Sequence, residues 1–357
     1  MVQPEYEGKR VWILGAGFSR HLGAPLFHEL FSPEMEMLVA AEYPRQSGFE
    51  RLHEGLSQVG REYARGSGQL VLESKPVPAA WQDPEKYLEV LSGWAENPES
   101  AFAPYRENAG PGFWSRLLAA SLRRLAAEVT CCYSNGRAIN GERGLAYQQW
   151  ASGLEVGKDV IVSFNYDTIV ESLNISGLFT LLGAPSLTDE RSFQGKVPLL
   201  KMHGSVDWKR VNGAIQQCGI DETIGDDRQF DEFAMAIPGT GKLGFSQANQ
   251  WLWNCAEQFI QGAEFINFVG YRIPETDGLA LNSICKSIRR RCESSKRIDL
   301  PVINIVLGPV PTPERARAEG LMRLLLGEVA SAKQWIKKVH VHDMWAQDFF
   351  QVGGTLR

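Results

Sequence analysis

Cysteine is scarce in this 357-residue chain: the six residues Cys131, Cys132, Cys218, Cys255, Cys285 and Cys292 follow no regular spacing and form no C-x-x-C pair. Without a recognisable secretory leader at Met1 to Glu7, that usage excludes a disulfide framework and points to reduced thiols in the cytoplasm. The six histidines form neither H-E-x-x-H nor a paired Cys/His pattern, so no zinc is expected. No apolar run approaches the ~20 residues of a membrane span. A net charge of −5 gives no global attraction to nucleic acid, which leaves at most an indirect or weak contact. Repeats and low-complexity tracts are also missing.

What is present is an ordinary globular composition, 44% hydrophobic and 22% charged, in a chain long enough for two structural units or one large α/β unit with an insertion. Lys9 to Leu14 reads as a buried parallel strand, and the Gly15-Ala16-Gly17-Phe18-Ser19-Arg20 turn and the start of a helix follow it. Five further strands are expected at Asp159 to Phe164, Val197 to Met202, Glu264 to Val269, Val302 to Leu307 and Lys338 to His342. Most of them end in glycine or polar residues: Asn165-Tyr166-Asp167, His203-Gly204-Ser205, Gly270-Tyr271 and Gly308-Pro309. Open parallel sheets bind ligands outside the carboxyl ends of their strands, so these clusters mark the edge to watch.

Residues 33–157 read as helical, apart from a short strand signal at Gln69 to Glu73. Asp83 suits an N-cap with Pro84 at the first helical position, and Phe113 to Val129 repeats apolar residues every three or four positions. That stripe is read as core, with a partner groove as the alternative. From His203 to about Ser246 the chain reads as a polar loop, and a helix is expected over Ser246 to Gln261. Within that loop Pro238-Gly239-Thr240-Gly241-Lys242 imitates a phosphate-binding loop. Ala236 and Leu243 break the pattern, so it reads as a mobile loop. The basic cluster Lys286, Arg289, Arg290, Arg291, Lys296 and Arg297 reads as a solvated helix face, with a partner or nucleic-acid contact as the alternative.

Each motif alone has a structural reading. The glycine turn lacks the third glycine of a dinucleotide fingerprint, since Arg20 stands there, and no second strand follows within ~30 residues, which disfavours dehydrogenase topology. Asp167 equally suits an Asx turn or an N-cap, and a lone His203 is commonly structural. A strand-end histidine can also act as base, because its ordinary pKa near 6.5 suits proton traffic.

The ordered combination of G-A-G-x-S-x-x-x-G-x-P, N-x-D, H-G-S and G-Y, each on a different strand end, resembles the sirtuin-type NAD-consuming fold. F-N-Y-D and H-G-S-x-D-W make it most similar to the sirtuin-like NAD hydrolases of bacterial antiphage defence. The likeness covers Lys9 to Leu30 and roughly Asp159 to the C-terminus. It implies a Rossmann-like, doubly wound, mainly parallel α/β domain over 1–32 and 158–357, with a helical insertion at 33–157. It implies that Gly15, Ala16, Gly17 and Ser19 cradle the NAD phosphates with Arg20 as a clamp, and that Gly270 and Tyr271 meet the adenosine ribose. It implies further that Asn165 orients the catalytic water or ribose, that Asp167 lies near the nicotinamide carboxamide, and that His203 is the catalytic histidine. NAD is then substrate, and nicotinamide and ADP-ribose are products. The likeness further implies homo-oligomerisation and control by a partner such as a HerA-type ATPase or another phage-sensing protein.

Deacylating sirtuins differ in ways that matter. Their Asp-Phe-Arg element is replaced by Leu26-Phe27-His28, Phe164 stands where they carry Gln, and their two C-x-x-C pairs are missing. Water is therefore favoured as acceptor over a peptide lysine. NAD-dependent transfer and a non-enzymatic NAD-binding scaffold are the alternatives.

Overall fold

The computed structural model describes residues 9–66, 83–101, 103–107, 109–134, 136–173, 179–182, 195–237, 240–272, 277–294, 300–309, 312–327 and 337–352. The strand signal at Gln69 to Glu73 lies outside them, as do Lys296 and Arg297 of the basic cluster.

Seven strands form an all-parallel sheet: β1 (Arg10–Leu14), β2 (Asp159–Ser163), β3 (Phe179–Leu182), β4 (Val197–Lys201), β8 (Phe265–Val269), β9 (Val302–Val306) and β10 (Val339–His342). Their order is β10-β9-β8-β1-β2-β4-β3, so β1 lies between β2 and β8. The α/β class expected from the strand pattern holds. Six strands match the apolar runs in the sequence, and β3, which no such run marks, adds a seventh at the edge.

The sheet is buried on both faces, which explains why β1 reads as unbroken apolar sequence. Val11 and Ile13 point into one core with Leu252, Phe259, Ile284 and Ile288, while Trp12 and Leu14 point into the opposite core with Tyr147, Trp150, Phe349 and Phe350. The first layer is built on helices Gln250–Gly262 and Gly278–Ser294, the second on Leu145–Ser152 and Ala346–Gln351.

Between β1 and β2 every described element is helical: α1 (Ala16–Ser19), α2 (Pro33–Glu42), α3 (Glu50–Gly66), α4 (Pro84–Glu96), α5 (Ala103–Arg106), α6 (Phe113–Thr130), α7 (Arg137–Asn140), α8 (Leu145–Ser152) and short 3-10 turns. Asp83 caps α4 as its sequence suggests, accepting a 2.7 Å hydrogen bond from the Glu85 N–H. The α6 stripe is core: Trp114, Leu117, Leu118, Leu122 and Leu125 pack with Leu52, Leu56, Tyr87 and Leu91. One feature of this core is charged. Arg124 and Glu128, both fully buried, pair at 2.6 Å, and Glu128 also accepts the Phe31 N–H at 2.8 Å.

The span from His203 to Ser246 is not a loop. It carries a second, antiparallel sheet of β5 (Gly204–Val211), β6 (Ala214–Gln217) and β7 (Phe233–Met235), ordered β6-β5-β7. Asn212 and Gly213 join β5 to β6 with φ of 50° and 79°, the left-handed pair that a two-residue hairpin requires. The chain enters this sheet directly from β4 through Gly204, whose φ is 75°; a Cβ there would lie 2.0 Å from the Ala234 carbonyl oxygen.

Candidate functional site

A chain leaving β1 heads toward β2, and one leaving β8 heads the other way toward β9, so a crevice opens where these adjacent strands end. This is the switch point at which doubly wound sheets bind ligands. A cavity of about 350 Å3 lies there. Gly15, Ala16, Gly17, Ser19, Arg20, Asn165, Asp167, His203, Gly270 and Tyr271, which come from four strand ends, all line it. Leu26, Phe27, Leu307 and Trp345 supply apolar wall.

The glycine turn packs more tightly than its sequence discloses. A Cβ on Gly15 would meet Tyr271 Cα at 2.7 Å, and one on Gly17 would meet Gly270 Cα at 2.8 Å. Gly15 N–H bonds to the Val269 carbonyl at 3.1 Å and Gly17 N–H to that of Gly270 at 2.9 Å. These glycines therefore let the β1 and β8 turns touch, and their donors are already engaged. The helix that follows is a single turn, Ala16–Ser19, continuing into a 3-10 turn at Arg20–Leu22, and it is much shorter than a helix that would carry a full dipole.

Asn165 and Asp167 hold that turn from β2. The Asn165 amide donates to the Gly15 carbonyl at 3.0 Å and to Ser19 Oγ at 3.2 Å, and Ser19 Oγ donates to Asp167 Oδ2 at 2.7 Å. Asp167 Oδ1 also accepts the Ile169 N–H at 3.1 Å, which is the Asx geometry its sequence allows. Because the Asn165 nitrogen is committed to protein partners, its oxygen is the group left to orient something in the cavity. Arg20 is paired: two parallel 2.7 Å bonds join its guanidinium to Glu29, whose Oε2 also accepts the Leu26 N–H.

His203 sits where the chain passes from the parallel to the antiparallel sheet, and its carbonyl accepts the Ala236 N–H at 2.8 Å. Its ring meets Phe164 edge-on at 5.1 Å, and Phe164 in turn stacks on Tyr271 at 4.6 Å and 13°. Burial pushes the imidazole down to about 4, against the Asp277 carboxylate and a hydrogen bond with the Phe164 backbone, both of which raise it; Lys242 adds to the downward push. The histidine is therefore neutral at physiological pH.

Three residues that sequence reasoning passed over complete this wall. Asp277 Oδ1 lies 3.7 Å from His203 Nε2, and Tyr271 Oη donates to its Oδ2 at 3.1 Å. Lys242 bonds to Asp277 Oδ1 at 2.5 Å and to Glu85 of α4 at 2.8 Å. Lys242 thus belongs to helix Thr240–Ala248 and to the cavity wall, not to a mobile loop. Its only signal in the sequence was the imitation of a phosphate loop, which misdirects. None of the described residues of the basic cluster lines the cavity: Lys286 and Arg290 are exposed on Gly278–Ser294, while Arg291 bonds to the Gly262 carbonyl at 2.9 Å.

Among the described residues no group of three or more His, Cys, Asp or Glu side chains is arranged to hold a metal ion, and no helix is long and apolar enough to cross a membrane. The chain matches no known family model and no curated protein.

Proposed function

We propose that this chain is an NAD+ glycohydrolase, which cleaves NAD+ with water to ADP-ribose, nicotinamide and a proton. The observation that carries the reading is convergence: Asn165, Asp167, His203 and the Gly15–Arg20 turn, separated by up to 188 residues (203 − 15), meet in one cavity at the switch point of a parallel sheet. The likeness of the G-A-G-x-S, F-N-Y-D and H-G-S-x-D-W runs to sirtuin-type enzymes supplies the substrate.

In this reading the diphosphate lies along the Gly15–Arg20 turn, where the Ala16 N–H and an Arg20 exchanged from Glu29 donate to it. The nicotinamidium is already cationic, so the C–N bond breaks with its electron pair passing to the ring nitrogen, and the protein mainly has to position the reactants and keep the site dry. Asn165 Oδ1 holds a water at the oxocarbenium-like ribose. The water oxygen forms the new C–O bond, and His203 takes the proton. The apolar wall and the Phe164–Tyr271 stack exclude other water.

The same motifs support a role as the NAD-depleting effector of a bacterial antiphage system. Such an activity needs restraint, supplied by a partner such as a HerA-type ATPase or another phage-sensing protein and by homo-oligomerisation through a helical insertion at 33–157.

The test is nicotinamide release from NAD+ by purified protein, with and without the product of the neighbouring gene, beside Asn165→Ala and His203→Ala. Release that both substitutions abolish is the expected result. A modified acceptor in place of free ADP-ribose means transfer, and tight NAD+ binding without release in either condition means a scaffold.

A further inference from the structure

Four side chains from four separate parts of the chain form a line of alternating charge that ends at the cavity imidazole. Glu85 projects from the first turn of α4, Lys242 from helix Thr240–Ala248, Asp277 precedes helix Gly278–Ser294, and His203 follows β4. Lys242 and Asp277 are held closely, with side-chain exposures of 12% and 5%. A single oxygen, Asp277 Oδ1, faces both the Lys242 ammonium at 2.5 Å and His203 Nε2 at 3.7 Å. The remaining carboxylate oxygen is occupied by the Tyr271 hydroxyl.

We propose that Asp277 is the counter-ion of protonated His203 and that Lys242, anchored by Glu85, competes for the same carboxylate oxygen and so sets the proton affinity of the imidazole. Lys242, Glu85 and Asp277 are positioning residues here. They act through His203, and the inference rests on the reading above only in taking His203 as the proton acceptor. The distances carry the argument. With Lys242 engaged, Asp277 stands off the imidazole by about half an ångström more than a hydrogen bond allows. Any movement of α4 that draws Lys242 toward Glu85 hands the carboxylate to His203. The helical segment between β1 and β2 is thereby coupled electrostatically to the chemistry at the strand ends.

The other polar groups near His203 do not replace this relay. Tyr166, whose ring lies 6.1 Å away, bonds to the Ala236 carbonyl at 2.6 Å, and burial raises its hydroxyl well above its ordinary value. Tyr271 is likewise raised, chiefly by burial and then by Asp277. Asp167 is engaged by Ser19 and the Ile169 N–H.

The experiment is an NMR titration of the His203 imidazole in the protein without NAD+, its signal assigned by its loss in His203→Gln. Lys242→Met should raise the midpoint by about one pH unit, Lys242→Arg should restore it, and Asp277→Asn added to Lys242→Met should bring it back down. Glu85→Gln, which leaves Lys242 to Asp277 alone, should leave the midpoint at or below that of the wild type. An unchanged midpoint in Lys242→Met, or a rise in Glu85→Gln, overturns the proposal. Should Lys242→Met not fold, the Glu85→Gln titration still decides the anchor, and Asp277→Asn alone must lower the midpoint. No NAD+ turnover enters this readout, so its failure is distinct from an absence of nicotinamide release. If release is observed, the acid limb of kcat/KM should move with the titration.

Discussion

Asn165 gives both hydrogens of its amide to the turn that follows β1, one to the Gly15 carbonyl at 3.0 Å and one to Ser19 Oγ at 3.2 Å. A side chain at the tip of one strand thus fixes the backbone at the tip of its neighbour, and the same residue lines the cavity.

Replacing Asn165 tests both roles. Asn165→Ala removes two buried hydrogen bonds and should cost about 1 to 3 kcal/mol of unfolding free energy. Asn165→Asp should cost more, because an acceptor-only carboxylate would then face the Gly15 carbonyl. Urea denaturation of the two variants ranks them, and a Asn165→Asp protein as stable as the wild type would remove the structural role. Both should lose nicotinamide release.

Gly270 is the tightest point of the site. Its φ is 64°, and a Cβ there would lie 2.0 Å from the Phe18 nitrogen. Gly270→Ala should therefore destabilise the chain by more than about 2 kcal/mol, whereas Gly93→Ala, a position in α4 where a Cβ meets nothing within 4 Å, should be neutral or stabilising. Thermal melts of the pair make the comparison.

The buried imidazole gives a pH signature. His203 titrates near 4 in the folded chain against 6.5 when unperturbed. Between these values the unfolded chain binds a proton that the folded chain refuses, so stability is fully present above about 6.5 and declines as pH falls toward 4. His203→Gln should flatten that part of the profile in urea titrations at pH 7.5 and 5. Nicotinamide release should persist at pH 5, and an acid limb near 6.5 would contradict a neutral buried base.

Arg124 and Glu128 test how the helical segment is held. Arg124 also reaches the Leu56 and Ser32 carbonyls, both at 3.1 Å, tying α6 to α3 and to the start of α2. Glu128→Ala leaves a buried guanidinium without its nearest carboxylate and should cost about 3 to 5 kcal/mol, while replacing both residues together by apolar ones of similar volume should cost markedly less. A double-substitution cycle in urea reads the difference.

Some elements are weakly marked in the sequence. Asn212-Gly213 is a strong hairpin signal between alternating residues, yet the polar content of the span that forms β5 and β6 makes it read as a loop. β3 is four residues long and sits at the sheet edge, too short for an apolar run to stand out. The α6 stripe concealed Arg124 and Glu128, since an i,i+4 pair looks the same in sequence whether it is solvated or buried.

By itself the sequence determined the local elements and the edge at which chemistry gathers. Runs such as Val-Trp-Ile-Leu must be buried on both faces, Asp83-Pro84 must open a helix, and glycine must stand where backbones cross, because these preferences act within a few residues. Tertiary structure alone decided that β1 lies between β2 and β8, and with it which strand ends share a cavity. It also decided that Lys242 meets Glu85 across 157 residues and Asp277 across 35. A charge chooses its partner by whichever elements the packing brings within a few ångströms, and no periodicity along the chain encodes that distance.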